Sequence, residues 1–226
     1  MRVNEYLKKY DVLVQEQPEF EHTDRHYRLL KEIGRGKRVL DLGCLGGQIS
    51  RKIKDQNNDV YGVELNPKAA AQAEKQGIRV KVFDLNDGVP FQDGFFDTVH
   101  AGEIIEHIFD TQFLFEECNR VLKPGGTFLF TVPNLNSLTN RLRVVSGAFL
   151  PNYGAYADDH NGSRIRLFNL DKVAEVCRLS GFQVTQVYGL ANEQSSSTAA
   201  RLAKPLAWWK PALADLLFVR ARRLDQ

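Results

Sequence analysis

The chain has 226 residues, of which 43% are apolar and 26% charged, and its formal net charge at pH 7 is +2. This composition predicts a globular protein with a substantial core, and so small a net charge argues against nucleic acid as the partner. The sequence contains no apolar run near the roughly 20 residues that span a membrane, and its charged N-terminus is unlike a signal peptide. Three widely spaced cysteines without a C-x-x-C pair indicate a reduced compartment, so we predict a cytoplasmic location.

Residues 1–36 have apolar side chains at helical spacing, and Pro18 divides them into two predicted helices. We interpret this stretch as an N-terminal helical lid, with packing against the rest of the fold as the alternative. From residue 37 to residue 226 strand patterns alternate with helical patterns, which predicts one α/β domain with a parallel sheet covered on both faces. Predicted strands lie at 39–42, 59–64, 78–83, 95–100, 127–132, 182–188 and 215–220. Predicted helices begin at Gln48, Pro67 and about Gly102, or span 111–122, 170–179 and a stretch near 199–208.

Between the fifth strand and the next helix, at about 134–169, the pattern becomes mixed and is broken by several glycines and Pro151. Such a stretch is too irregular for another strand–helix unit. We therefore predict a cap insertion at this place in the domain.

The first strand ends at Asp41 and Leu42, and Gly43, Gly46 and Gly47 follow within five residues before a helical pattern resumes. Glycines allow close approach of the backbone and positive φ, and a helix N-terminus presents unpaired N–H groups. A carboxylate at the end of this strand would repel a pyrophosphate but attract a cationic or amine-bearing ligand. The segment therefore predicts a binding site for a ligand that carries positive charge.

Two further predicted strands also end in acids, namely Glu64 and Asp84. Ligands of open α/β sheets bind at the carboxyl ends of the strands. Glu64 lies 21 residues beyond Gly43, the spacing at which an acid accepts hydrogen bonds from the ribose hydroxyls of an adenosine. Asp84 and the N–H of Leu85 could then bind adenine, although each acid alone could equally cap a turn.

On these motifs, together with Phe96-Asp97-Thr98-Val99 and Leu122-Lys123-Pro124-Gly125-Gly126-Thr127, the chain resembles the class I S-adenosylmethionine (SAM)-dependent methyltransferases from about residue 35 to 222. The resemblance implies a Rossmann-like seven-stranded sheet of order 3-2-1-4-5-7-6 with an antiparallel last strand. It also implies SAM as cofactor and S-adenosylhomocysteine (SAH) as product. The implied cofactor site consists of Asp41, Gly43, Cys44, Gly47, Glu64, Leu65, Asp84, Leu85 and Glu103.

The family pattern acid-x-Gly-x-Gly-x-Gly is not complete here, because Leu45 stands at the middle glycine. Gly46 could compensate by freeing the next residue, or the loop could be shifted. A nicotinamide dehydrogenase is the alternative for such a glycine turn, but it requires Gly-x-Gly-x-x-Gly, which residues 43–47 do not supply. The methyltransferase interpretation is therefore the stronger one.

A second candidate site is the stretch from Glu103 to His107, just past the fourth strand. On a helix Glu103, Glu106 and His107 would share one face, where they could bind a divalent cation or pair a general base with its orienting carboxylate. The stretch resembles the metal-binding segment of ubiquinone-pathway and small-RNA O-methyltransferases. We favour the interpretation without a metal and take Glu106 and His107 as catalytic candidates.

The cap supplies the third group of candidates. By resemblance to small-molecule methyltransferases, His160 is a candidate for removing the acceptor's proton and Arg166 for positioning the acceptor, while Tyr153 and Tyr156 could form an aromatic wall. The pair Trp208-Trp209, between two lysines, suits a lipid surface, a partner or the core.

We therefore predict a SAM-dependent methyltransferase that acts on an oxygen or nitrogen of a small or carrier-linked molecule, as a monomer or homodimer. Two alternatives remain open: a metal-dependent RNA 2′-O-methyltransferase and a non-catalytic SAM-binding partner protein.

Overall fold

The computed structural model describes residues 24–148, 150, 165–191 and 210–224. Its helices are α1 (Asp24–Ile33), α2 (Gln48–Asp55), α3 (Pro67–Lys75), α4 (Thr111–Val121), α5 (Leu138–Val145) and α6 (Leu170–Leu179). Its strands are β1 (Arg38–Leu42), β2 (Asp59–Glu64), β3 (Arg79–Val82), β4 (Phe96–Gly102), β5 (Leu122–Pro133), β6 (Phe182–Leu190) and β7 (Leu216–Arg223). Short 3₁₀ turns lie at Leu85–Asp87, Ile105–His107 and Pro211–Leu213.

The seven strands form one sheet of order β3-β2-β1-β4-β5-β7-β6, as predicted. Neighbours from β3 to β5 run parallel, whereas β7 is antiparallel to both β5 and β6. The strand order reverses beside β1, between β1 and β4. Ligands of doubly wound sheets bind at such a reversal, so the candidate binding crevice lies at the carboxyl ends of these two strands.

Both faces of the sheet are covered, which explains why its central strands are apolar on both sides. On one face Leu29 and Ile33 of α1, Ile53 of α2 and Ala73 of α3 pack against the sheet. On the other face α4 and α6 cover a core that includes these fully buried phenylalanines: Phe96, Phe115, Phe128 and Phe130.

Several predicted boundaries are correct because local signals set them. β2 and α6 match the predicted ranges, and α3 begins at Pro67, where the Asn66 side chain caps the helix by accepting from two backbone N–H groups. β5 begins five residues earlier than predicted. Leu122 already pairs with Phe96, and residues 123–126 then form an irregularity before Thr127 pairs with Thr98.

The predicted helix from about Gly102 is wrong. β4 continues to Gly102, Glu103 takes a left-handed φ of 52°, and only a 3₁₀ turn at Ile105–His107 follows. A left-handed residue cannot continue a right-handed helix, so the chain turns here. The helical stretch predicted near 199–208, the first N-terminal helix and residues 149 and 151–164 of the cap lie outside the described residues. In the described ranges, no helix has the length and apolarity needed to cross a membrane.

Candidate active site

The carboxylate of Asp41 lies at the carboxyl end of β1 and is 1% exposed. Its Oδ2 accepts a hydrogen bond of 2.5 Å from Ser50 Oγ of α2, and its Oδ1 lies 2.7 Å from His100 Nδ1 of β4. Asp41 and His100 are register partners in adjacent strands, which brings their side chains to the same face. Asp41 is therefore a buried, orientated acid at the sheet's reversal point. Neither Ser50 nor His100 is among the site residues predicted from the sequence.

The turn after β1 is left-handed at three positions. Gly43, Leu45 and Gly47 have φ values of 70°, 49° and 83°. Leu45 itself thus adopts a left-handed conformation, whereas Gly46 has no positive φ. Gly43 donates its N–H to the carbonyl of Val63 at 2.8 Å, which anchors the turn to β2.

Gly47 has a packing role as well. A Cβ added there would lie 2.8 Å from both Cα and Cβ of Ala73, closer than van der Waals contact allows. The absence of a side chain at Gly47 is therefore what lets the start of α2 approach α3.

Glu64 at the end of β2 is held by the backbone. Its Oε2 accepts from Leu45 N and its Oε1 from Asn66 N, both at 2.9 Å, and the residue is 4% exposed. Burial raises the pKa of Glu64, and the backbone N–H groups offset only part of that effect. A carboxylate oxygen accepts more than one hydrogen bond, so each oxygen retains acceptor capacity for a ligand hydroxyl. The half-buried Leu65 follows directly.

Asp84 follows β3 and caps the 3₁₀ turn at Leu85–Asp87. Its Oδ1 accepts from the backbone N–H and the side-chain amide of Asn86, at 2.9 and 2.8 Å. Leu85 is buried. Asp84 is thus a capping residue that also lies on the same sheet edge as Glu64 and Asp41.

The Cys44 side chain does not face the crevice. It belongs to the core cluster under α1, α2 and α3. Its Sγ packs against Gly62 of β2, where an added Cβ would lie only 2.6 Å from the sulfur atom. Burial, followed by the neighbouring carboxylates of Asp41 and Glu64, raises the pKa of the Cys44 thiol far above its usual range. Only the backbone of Cys44 belongs to the turn, where its N–H donates to Val63 O at 3.2 Å.

Glu103 lies at the other side of the crevice, just past β4. Its N–H donates to Thr131 of β5, and its carboxylate forms an ion pair with Arg25 of α1. This ion pair joins the N-terminal helix to the carboxyl end of the sheet.

The predicted convergence of Glu103, Glu106 and His107 is not observed. Because the segment is not helical, the i, i+3 and i+4 positions do not share a face, and the described residues contain no group of three His, Cys, Asp or Glu able to hold a metal ion. The Glu106 side chain is buried, and its backbone carbonyl accepts from the N–H groups of Ile165 and Arg166 at 2.9 and 3.1 Å. His107, in the same 3₁₀ turn, is half-buried.

Arg166 is the one substrate-binding candidate within the described residues. Its guanidinium donates to the carbonyl of Phe109, and Phe109 in turn donates its N–H to Asn86 Oδ1 at 2.9 Å. The segment that leaves the cap is therefore connected through Phe109 to the turn that contains Asp84. Tyr153, Tyr156, His160 and Trp208-Trp209 lie outside the described residues.

Comparisons with known proteins agree with this fold. A family model described as a methyltransferase domain matches residues 40–130. A ubiquinone biosynthesis O-methyltransferase of Xanthomonas euvesicatoria is 29% identical over 164 residues, which cover 70% of this chain and 67% of that protein. A protein of Mycolicibacterium smegmatis named as a probable SAM-dependent methyltransferase is 27% identical over 227 residues. The match covers 94% of this chain and 83% of that protein. Further ubiquinone biosynthesis O-methyltransferases match over about half of their own length.

Among solved structures, a SAM-dependent methyltransferase from Thermotoga maritima superposes with a TM-score of 0.66 at 20% identity, over 98% of this chain and 96% of that one. The sheet order and the matched methyltransferase domain define a class I Rossmann-like methyltransferase. The chain is a SAM-dependent methyltransferase, and SAM is its cofactor.

Proposed function

We propose that this protein transfers the methyl group of SAM to an oxygen atom of a small or carrier-linked molecule, with nitrogen as the alternative acceptor atom. The observation that carries the proposal is the row of acids at the ends of β1, β2 and β3, beside a left-handed turn. The O-methyltransferase names of relatives such as the Xanthomonas protein favour oxygen.

In this proposal Glu64 accepts hydrogen bonds from the ribose hydroxyls of SAM. Its two oxygens are orientated by backbone donors, one in the turn after β1 and one at the start of α3. Asp84 accepts from the adenine amine, and Leu85 and Leu65 enclose the base. Acceptor-only carboxylates suit these donor groups, so the residues present fit the cofactor.

The turn from Gly43 to Gly47 lies against the methionine end of SAM in the same placement. Asp41 contributes negative charge beneath that end, where its burial keeps the charge unscreened by water. Glu103 closes the crevice on the β4 side. Cys44 contributes its backbone, because its side chain is directed into the core.

When bound, SAM supplies a methyl group on a sulfonium that is already a good leaving group. The chain therefore has to align the acceptor in line with that bond and to take up the proton of the acceptor hydroxyl. His107 and His160 are the candidates for the proton, with Glu106 beside His107 as the orienting group. An imidazole titrates near neutral pH and is suited to that transfer.

Residues 1–36 are proposed as the lid and about 134–169 as the cap over the acceptor. The ion pair of Arg25 with Glu103 supports the first assignment, because it connects α1 to the edge where SAM would lie. The contact of Arg166 with Phe109 supports the second, because it fixes the end of the cap beside the same edge. Tyr153 and Tyr156 are proposed as acceptor contacts within the cap.

The experiment that tests the proposal measures SAH formation from SAM with a panel of phenolic hydroxyl acceptors and matched amines, with and without a chelator. We expect turnover with at least one hydroxyl acceptor and little effect of the chelator. Turnover restricted to amines would contradict the oxygen assignment. SAM binding without turnover on any acceptor would favour a non-catalytic role.

Glu64→Gln tests the ribose assignment. The substitution preserves size but removes the charge and replaces one acceptor oxygen by a donor, so we expect SAM binding to weaken by about 1.5–3 kcal/mol. Asp59→Asn is the matched control, because Asp59 lies in the same strand at its other, exposed end. Calorimetric affinities that are equal for the wild type and Glu64→Gln would contradict the assignment.

A further inference from the structure

His100 is a buried titratable group that the proposed reaction does not use. It is 6% exposed, and its Nδ1 lies 2.7 Å from Asp41 Oδ1. The other side of the ring lies against Gly102, where an added Cβ would be 3.1 Å from Cε1 and 3.2 Å from Nε2. The imidazole therefore fits tightly between the ends of β1 and β4, directly behind the acid at the reversal of the sheet.

The two partners of Asp41 differ in one chemical respect. The Ser50 hydroxyl donates to Oδ2 at every accessible pH, so it orientates the carboxylate without changing its charge. His100 can bind to Oδ1 either as a neutral imidazole or as an imidazolium. The Asp41–His100 pair has a net charge of −1 in the first state and zero in the second.

SAM and SAH differ by one methyl group and one positive charge on sulfur. Their amino, carboxylate, ribose and adenine groups are the same. Negative charge beneath the sulfur end of the ligand therefore favours SAM over SAH, and loss of that charge removes the preference.

We propose that His100 is a positioning residue that holds Asp41 and, through its own protonation, sets how strongly the crevice prefers SAM to SAH. The inference depends on the proposed placement of SAM over Asp41. In its neutral form, His100 leaves the carboxylate charge in place, and the cationic methyl donor binds more tightly than the neutral product. In its protonated form, the pair is neutral, and product and donor bind with similar affinity.

Other ionisable groups surround this pair and have to be separated from it. Cys44 and Glu64 interact electrostatically with Asp41, and on the α1 side Arg25 is paired with Glu103. The Cys44 thiol has a strongly raised pKa and stays protonated. Burial also raises the pKa of Glu64, so that this carboxyl could take up a proton at low pH. A variant at His100 distinguishes the contributions, because it leaves all these groups unchanged.

The test is the pH dependence of the ratio of SAH to SAM dissociation constants, measured by calorimetry on the full chain from about pH 8.5 to about pH 5.5, where imidazoles titrate. Titrations of the amino and carboxylate groups that the ligands share cancel in the ratio. We expect the wild-type preference for SAM to fall about tenfold over this range, within the limit of tenfold per pH unit for one linked proton.

Three variants make the result specific. His100→Asn keeps a side-chain donor for Asp41 but cannot titrate, so the preference for SAM should be retained and independent of pH. Ser50→Ala removes the other hydrogen bond to Asp41, and its ratio should keep the wild-type pH slope. Asp41→Asn removes the carboxylate charge but leaves His100 in place, so it should lower the preference for SAM relative to the wild type throughout the pH range. His100→Gln, which also keeps a donor but cannot titrate, replaces His100→Asn if that variant does not fold.

A wild-type ratio that does not change with pH would overturn the inference. So would a wild-type slope that persists in His100→Asn, or a preference for SAM that is unchanged in Asp41→Asn. If wild-type protein bound neither ligand, the proposed placement of the cofactor would fail together with this inference. Binding of both ligands with a constant ratio would refute only the role of His100.

Discussion

Replacement of Gly47 by alanine should destabilise the protein strongly, although it adds a single methyl group. At φ 83° a non-glycine residue costs about 1–2 kcal/mol. The new Cβ would lie 2.8 Å from Cα and Cβ of Ala73, and inserting a methyl group into so close a contact typically costs about 1–3 kcal/mol. We therefore expect the free energy of unfolding to fall by about 2–5 kcal/mol, a large part of the total for a domain of ordinary stability.

Gly34→Ala is the matched control for this prediction. Gly34 has a similar φ of 73°, but no atom lies within 4 Å of an added Cβ. It should show only the backbone cost, about 1–2 kcal/mol. Urea denaturation of both variants, compared at constant m-value, isolates the contact between α2 and α3. Equal losses in the two variants would refute the reasoning that close helix approach makes Gly47 necessary.

Two further predictions concern ionisable side chains. Partial burial tends to raise the pKa of Asp97, but hydrogen bonds from Lys123 and from the backbone N–H of Arg38 outweigh it, so the pKa is lowered. Because the folded state lowers this pKa, the ionised carboxylate stabilises the protein above about pH 4, and this stabilisation is lost as the pH falls further. In acid denaturation the wild-type protein should therefore lose more stability than Asp97→Asn. Equal losses would contradict this. Burial raises the pKa of Cys177 to about 12, and Cys44 and Cys118 are also buried with raised values. A thiol-reactive dye at pH 8 should therefore label the native protein only as fast as it unfolds, and rapid labelling of native protein would show that the thiols are accessible.

The sheet could be predicted from the sequence largely through resemblance, and its individual elements through local signals. The Asn66-Pro67 start of α3 and the helix of residues 170–179 have their caps in the sequence, since the Asn66 and Asn169 side chains accept from the first turns. Glu103 could not be predicted in the same way. Its left-handed backbone is accompanied by hydrogen bonds to Thr131, a residue 28 positions away.

Of the candidate site, the acids at the sheet edge were found because each lies at the end of a predicted strand. The orientation of their neighbours was not accessible. The core position of the Cys44 side chain depends on the missing side chain of Gly62 in the adjacent strand, and the contact of His100 with Asp41 depends on the register of β4 against β1. A histidine between Val99 and Ala101 in a predicted strand was the available signal.

The backbone N–H groups that hold Glu64 belong to Leu45 in the glycine turn and to Asn66 at the start of α3. The carboxylate is thus fixed by folding itself, before any ligand arrives, so binding would require little additional ordering of the pocket. The same bonds also join β1's turn to β2. Glu64 therefore contributes both to the proposed ligand binding and to the fold. A substitution that weakens its hydrogen bonds should lower both the ligand affinity and the stability of the protein.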